Sequence, residues 1–370
     1  MTPHDPIAAA GPLTGTLHVY VAFDWGEELK LEEARRLVPA EVHALPRRRR
    51  TPTSIAYRPS PLRIVLPNVA LDLAELGSVQ AAAEATVFDF AAASLAMHVP
   101  FSLEAGALTR LAGWLADSAP LVRASKAASE PLYRQLLPAI LEPHWDANLY
   151  EEYLIFQLAP NCPFEPAFLL DCGAGWLAGL AHLEAGPLSD AEVREAIGSH
   201  LSYSPADLFV PDWAAGVLLD SDCDETLQTI EFANLQLLEY SHIDDRLDKA
   251  LAAASRLTDI AKQARLPFWR SFHQPLRTLG ELRVEANGLF ERTSNALKLL
   301  GEQYLARVYR LAATRFHLRA WERNIQRKLD VAEGVYQVVS DQAATYRTEF
   351  LEIVVILLIA VEIALSLLRH

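Results

Sequence analysis

His242, followed by Asp244 and Asp245 and preceded one turn earlier by Glu239, is the part of this sequence best equipped for proton transfer. Neighbouring carboxylates can orient an imidazole as a general base or share a metal ion with it. No nucleophile and no second histidine stands four residues away, and Asp245 and Lys249 have the i,i+4 spacing of an ordinary helix ion pair. A structural role is the first reading; an enzyme centred on His242, Asp244 and Asp245 is the alternative. Asp220, Asp222, Asp224 and Glu231 fall at positions 1, 3, 5 and 12 of a calcium-loop spacing, but Glu225 stands where the sharp turn needs glycine. An acidic cap at the positive end of a helix explains them better. Gly173, Gly175 and Ala178 form G-x-G-x-x-A after an apolar run, with no second strand at the distance a dinucleotide fold requires. They are expected to make a tight turn. Nucleophile-elbow, zinc-helix and P-loop patterns do not occur. The sequence therefore assigns no catalytic, cofactor-binding or metal-binding residue, and no cofactor is expected.

Two cationic features are better suited to binding. Arg47, Arg48, Arg49 and Arg50 form one run, and Arg315, Arg319, Arg323 and Arg327 recur every four residues as a stripe along one helix face. Such groups fit anionic lipid headgroups, RNA phosphates or an acidic protein surface. Arg327 precedes Phe350, where a long apolar run begins, by 23 positions. On a straight helix that is on the order of 35 Å, several Debye lengths at physiological salt. An acidic surface is favoured over lipid on that distance, the chain's own acidic body first and RNA second.

Composition bounds the elements that must position these groups. The 370 residues carry 33 Lys and Arg against 47 Asp and Glu, a formal net charge of −14, which excludes a generic nucleic-acid binder. With 51% hydrophobic residues, a largely disordered chain is excluded as well. The charge is unevenly divided: Met1–Ala264 nets −18 and Arg265–Glu349 nets +5. Cys162, Cys172 and Cys223 include no C-x-x-C pair, so a disulfide scaffold or cysteine-rich zinc module is excluded.

Residues 1–15 lack the features of a secretory or transit signal and read as a flexible lead-in. Residues 16–219 read as a mixed α+β body. Strands are expected at Leu17–Phe23, near Ser54–Pro67, at Ala85–Phe90, Ser94–Phe101, Tyr150–Ala159, Ala167–Cys172 and within Asp207–Leu219. Helices are expected from Leu103 to Leu141 and at Asp190–His200, without regular βαβ alternation. Residues 220–349 read as a stalk, a hairpin of long antiparallel helices turning at Pro267 and Pro275. A seam of three- and four-residue steps runs through Ile325, Leu329, Ala332, Tyr336, Val339, Ala343, Tyr346 and Phe350. It continues through Ile353, Leu357, Ala360, Ala364 and Leu367. Residues 350–368 are expected to form a transmembrane helix acting as a C-terminal tail anchor. Nineteen residues reach roughly 28 Å, against a hydrocarbon core of about 30 Å. Glu362 and Ser366, one turn apart, would make an intramembrane contact. The arginine-rich stretch before the span would leave the body in the cytoplasm. The expected partners are a lipid bilayer, further copies of the chain, and an acidic protein surface or RNA.

Four segments together resemble the domain of unknown function 155 family, also called the required-for-meiotic-nuclear-division family, in its bacterial form. They are Val19–Gly26, Ala85–Phe101, Glu231–Ala250 and Arg347–Leu365, which lie in order along nearly the whole chain. The resemblance implies association with a membrane through the last segment and, from animal members, a link to translation of mitochondrially encoded proteins. It supplies no catalytic residues. The resulting expectation is a membrane-anchored, self-associating scaffold that holds translation machinery near the membrane.

Overall fold

Leu17, Val19, Val21 and Phe23 alternate with His18, Tyr20, Ala22 and Asp24, so one strand carries two unlike faces. That strand is β1 (Leu13–Asp24). The computed structural model describes residue 7 and residues 11–38, 61–146, 148–220, 222–263, 277–278, 280–288, 290–291 and 303–368. Among these, the other long strands are β3 (Leu62–Leu73), β4 (Gly77–Val87), β5 (Ala92–Leu103) and β7 (Tyr150–Leu158). The short ones are β2 (Glu28–Leu29), β6 (Ile140–Leu141), β8 (Leu208–Pro211) and β9 (Ala215–Leu219). Seven strands form one sheet in the order β3-β4-β5-β1-β7-β9-β8, and β2 pairs with β6. All pairings in the large sheet are antiparallel except β7 with β9. The fold is mixed α/β built on this large sheet.

The apolar face packs against α1 (Leu31–Leu37), α2 (Ala105–Leu115), α3 (Ala119–Leu136) and α5 (Ala174–Ala181). Leu108, Leu111, Leu132, Leu136, Leu177 and Leu180 join the odd-numbered β1 residues in one core. Gly15 allows a close backbone approach between β1 and β7: a Cβ there would lie 2.1 Å from the Gln157 carbonyl oxygen. The opposite, polar face is met by the first half of α7 (Asp224–Gln263) and, beside it, by α8 (Gln303–Arg315). Asn234 Nδ2 donates to the Glu151 carbonyl at 3.2 Å, and the Tyr309 hydroxyl donates to Gln236 Oε1. Between these strands and helices lie α4 (Pro166–Asp171) and α6 (Asp190–Gly198). The strand expected at Ala167–Cys172 is thus a helix, because Pro166 at its first turn presets the helical φ and Leu169 anchors one face in the core.

The chain divides into two units, Met1–Glu239 with Arg292–Arg319, and Tyr240–Glu291 with Ala320–His370. The helix α7 contributes to both. In the second unit three helical stretches bury matching stripes. Ile243, Leu247 and Ala250 of α7, Leu282 and Ala286 of residues 280–288, and Ile325, Leu329 and Ala332 of α9 (Leu318–Leu368) are all buried. Ion pairs link the stretches in turn: Arg246 to Glu285 at 2.8 Å, Arg283 to Glu333 at 3.0 Å, and Lys328 to Asp244 at 2.8 Å and Asp248 at 2.7 Å. The start of the heptad seam is therefore closed within one chain.

Two expectations about the helical part are corrected. His317 adopts a left-handed φ of 54°, which ends α8 at Arg315 and restarts the chain as α9 at Leu318. Arg315 and the other three arginines consequently do not share one continuous helix. Among the described residues, no helix is long and apolar enough to cross a membrane. The transmembrane helix and tail anchor expected at 350–368 are overturned. Glu352 and Glu362 are both exposed and leave only nine uninterrupted apolar residues between them. Nine residues of helix reach roughly 14 Å, about half the hydrocarbon thickness.

Candidate functional site

The residues singled out from sequence are dispersed. Asp244 pairs with Lys328 at 2.8 Å and Asp245 with Lys249 at 2.5 Å, so both carboxylates beside His242 face lysines. Asp224 and Glu225 begin α7 as an acidic first turn, while Glu231 points from within the helix to Arg63, 3.6 Å away. The calcium spacing is thereby pulled apart. Gly173, Gly175 and Ala178 lie at the junction of α4 and α5, a helix–turn–helix with no phosphate-binding strand before it. Arg47, Arg48, Arg49, Arg50 and the Ser366 side chain lie outside the described residues, and Glu362 is exposed. Arg319, Arg323 and Arg327 are exposed on α9.

Strand register assembles a polar line that sequence reasoning missed. His18 on β1 stands directly opposite His98 on β5, and Gln157 and Glu84 occupy the diagonal positions on β7 and β4. The two Nδ1 atoms are 2.7 Å apart, and His18 Nε2 is 2.8 Å from Gln157 Oε1. Because the amide oxygen only accepts, His18 donates from Nε2 and accepts at Nδ1 from His98. Gln157 Nε2 in turn donates to Cys223 Sγ at 3.0 Å and to the Asp220 carbonyl at 3.3 Å. Burial, then the neighbouring His98, lowers the His18 pKa to about 4. Burial and the nearby Asp220 push the Cys223 thiol up to about 12, so it is no thiolate nucleophile at neutral pH. Burial likewise raises the Glu231 carboxyl, with Arg63 opposing. This line can hold a proton or relay one, and it orders the sheet beneath α7.

A second node joins α5, α6, α8 and the turn after β8. His182 caps α5 and sets Nδ1 3.2 Å from Asp212 Oδ2, while its Nε2 is 3.9 Å from Glu192 Oε1. Arg315 approaches from the end of α8, with Nη1 2.6 Å from Glu195 Oε1 and 3.7 Å from Asp212 Oδ1. Its Nη2 donates to the carbonyls of Glu195 and Ala196. The Tyr153 hydroxyl donates to the Asp212 carbonyl at 3.0 Å. Asp212 has a 5% exposed side chain, and burial raises its pKa against the pull of His182 and Arg315. The ligand-capable atoms of His182, Glu192 and Glu195 lie within 4.8 Å of one another. Their sequence separation hides the node; only Glu192 and Glu195, three apart on one helix, left a local trace.

Comparison with known proteins covers the α/β part of the chain. The family described as "Uncharacterized protein MJ0711, N-terminal domain" matches residues 14–225, more than half of the chain. The protein of that name from Methanocaldococcus jannaschii is 25% identical over 177 residues, covering 47% of this chain and 53% of the relative. The match thus spans about half the length of that relative. No solved structure matches. These findings overturn the resemblance to the domain of unknown function 155 family, on which the expectation about translation machinery rested. His18, His98, Gln157, His182 and Asp212 all fall inside the matched region; Arg315 and the second unit lie beyond it. From β1 to the first turn of α7, this chain belongs to the MJ0711 N-terminal domain family.

Proposed function

We propose that the chain is a self-associating scaffold, an α/β head joined to long antiparallel helices whose C-terminal part pairs with the same segment of a second copy. The observation that supports it most is the exposure of Val355, Ile356, Leu357, Leu358, Ile359, Val361 and Ile363, each between 49% and 65%. Contiguous apolar surface of this kind marks an association site. Leu357 and Ala360 continue the three- and four-residue spacing that Ile325, Leu329 and Ala332 begin. An identical segment from another copy offers the same spacing, as a two-fold contact requires. Glu352 and Glu362 bracket the run from Ile353 to Val361 and favour a paired segment of fixed length over open-ended stacking.

Sedimentation of the full chain across micromolar concentrations tests this reading. The wild type should sediment as an oligomer and Leu357→Glu as a monomer with an unchanged circular dichroism spectrum. A monomeric wild type, or an oligomer that survives Leu357→Glu, defeats the proposal.

A further inference from the structure

We propose that His182, Glu192 and Glu195 form a binding site for a divalent transition metal of the zinc class. The argument begins with the tautomer of His182. Its Nδ1 lies 3.2 Å from Asp212 Oδ2 without a hydrogen bond between them, and the negative charge beside it favours the proton on that nitrogen. A neutral ring in that tautomer presents a lone pair at Nε2. That atom is sealed from solvent and has no hydrogen-bond partner among the described residues. It faces Glu192 Oε1 at 3.9 Å, with Glu195 also within 4.8 Å. Three acceptors converging on one point repel unless a cation stands between them.

The surroundings fit such an ion. A carboxylate beside the second nitrogen is the usual support of a metal-bound imidazole, and Asp212 needs only a small reorientation to accept the Nδ1 proton and fix the tautomer. Asp212, Glu192 and Glu195 carry three negative charges and Arg315 returns one positive, which leaves two charges for a divalent ion to balance. Arg315 occupies only Oε1 of Glu195; the second oxygen remains for coordination. In a tetrahedral site with bonds of about 2.0–2.1 Å, ligand atoms stand roughly 3.3 Å apart. The observed spacings exceed this by amounts that rotation of the glutamates can close, as Glu192 and Glu195 are 51% and 57% exposed. Three protein ligands leave one position open, the pattern of a site that holds water or a ligand.

The full chain, stripped with a chelator and dialysed, is titrated with Zn(II) by calorimetry and with Co(II) in visible absorption. The expected result is one tight equivalent per chain, cobalt bands of a four-coordinate site, and a melting temperature raised by zinc. Glu192→Gln, a change on an exposed helix face, should keep the metal-free melting temperature and lose all three responses. His182→Gln should lose them too, beyond the roughly 10–100-fold weakening that loss of an outer partner causes. If the wild type takes up no zinc, or if Glu192→Gln binds it equally well, the site is overturned and a proton on His182 fills the gap instead.

Discussion

Acidification should destabilise the head through a single buried imidazole, His18, which is 6% exposed. Burial, reinforced by His98 and only partly opposed by Gln157 and Glu84, brings its pKa down from 6.5 to about 4. The folded state therefore prefers the neutral ring. Well above pH 6.5 neither state is protonated and the group contributes nothing to the pH dependence. Between pH 6.5 and 4 the unfolded chain binds the proton first, so stability falls as the pH falls through that window. At about 1.4 kcal/mol per pH unit, the full loss by pH 4 is about 3 kcal/mol. The assay is urea unfolding at stepped pH, followed by tryptophan fluorescence, for the wild type and His18→Asn. The variant loses hydrogen bonds at every pH but cannot titrate at this position. Its deficit relative to the wild type should shrink by about 3 kcal/mol from pH 6.5 to 4. Glu231 and Asp212, whose carboxyls are raised, titrate in both proteins and cancel in the difference. A deficit that stays constant across the window would refute the reasoning.

Leu329→Ala, at a 4% exposed seam position, should cost about 2–5 kcal/mol in denaturant unfolding, whereas Val331→Ala, 53% exposed, should cost under about 0.5 kcal/mol. Equal effects would mean that the start of the seam is not closed within the chain. Arg315→Gln removes the cation from buried Asp212 and should cost about 3 kcal/mol, against roughly 0.5 kcal/mol or less for exposed Arg327→Gln; thermal melts compare the two. Gly15→Ala forces a Cβ against the Gln157 carbonyl and should destabilise by about 3 kcal/mol or more. Gly175→Ala, which meets open space in α5, should instead stabilise by up to about 1 kcal/mol.

What the sequence determined by itself was local. Period-two alternation at Leu17–Phe23 and Ser94–Phe101 marks β1 and β5, because alternate side chains must face opposite sides of a pleated strand. The proline-free repeat after Asp224 marks α7, and Ile325, Leu329 and Ala332 mark one face of α9, for the same kind of reason at the helical period. A short apolar run such as Ala167–Cys172 carries no such period, and there Pro166 was the signal to heed. Nothing local announced the break at His317, which no glycine or proline marks. Tertiary structure alone decided the rest. His18 meets His98 across eighty residues because of one strand register, and a slip by one residue would turn them to opposite faces. His182, Asp212 and Arg315 meet because β8, α5 and the end of α8 converge. Leu329 is buried where ion pairs tie α7, residues 280–288 and α9 to one another. Spacing between near neighbours fixes which face of an element is apolar; which distant face it meets depends on chain reversals and register that no local pattern encodes.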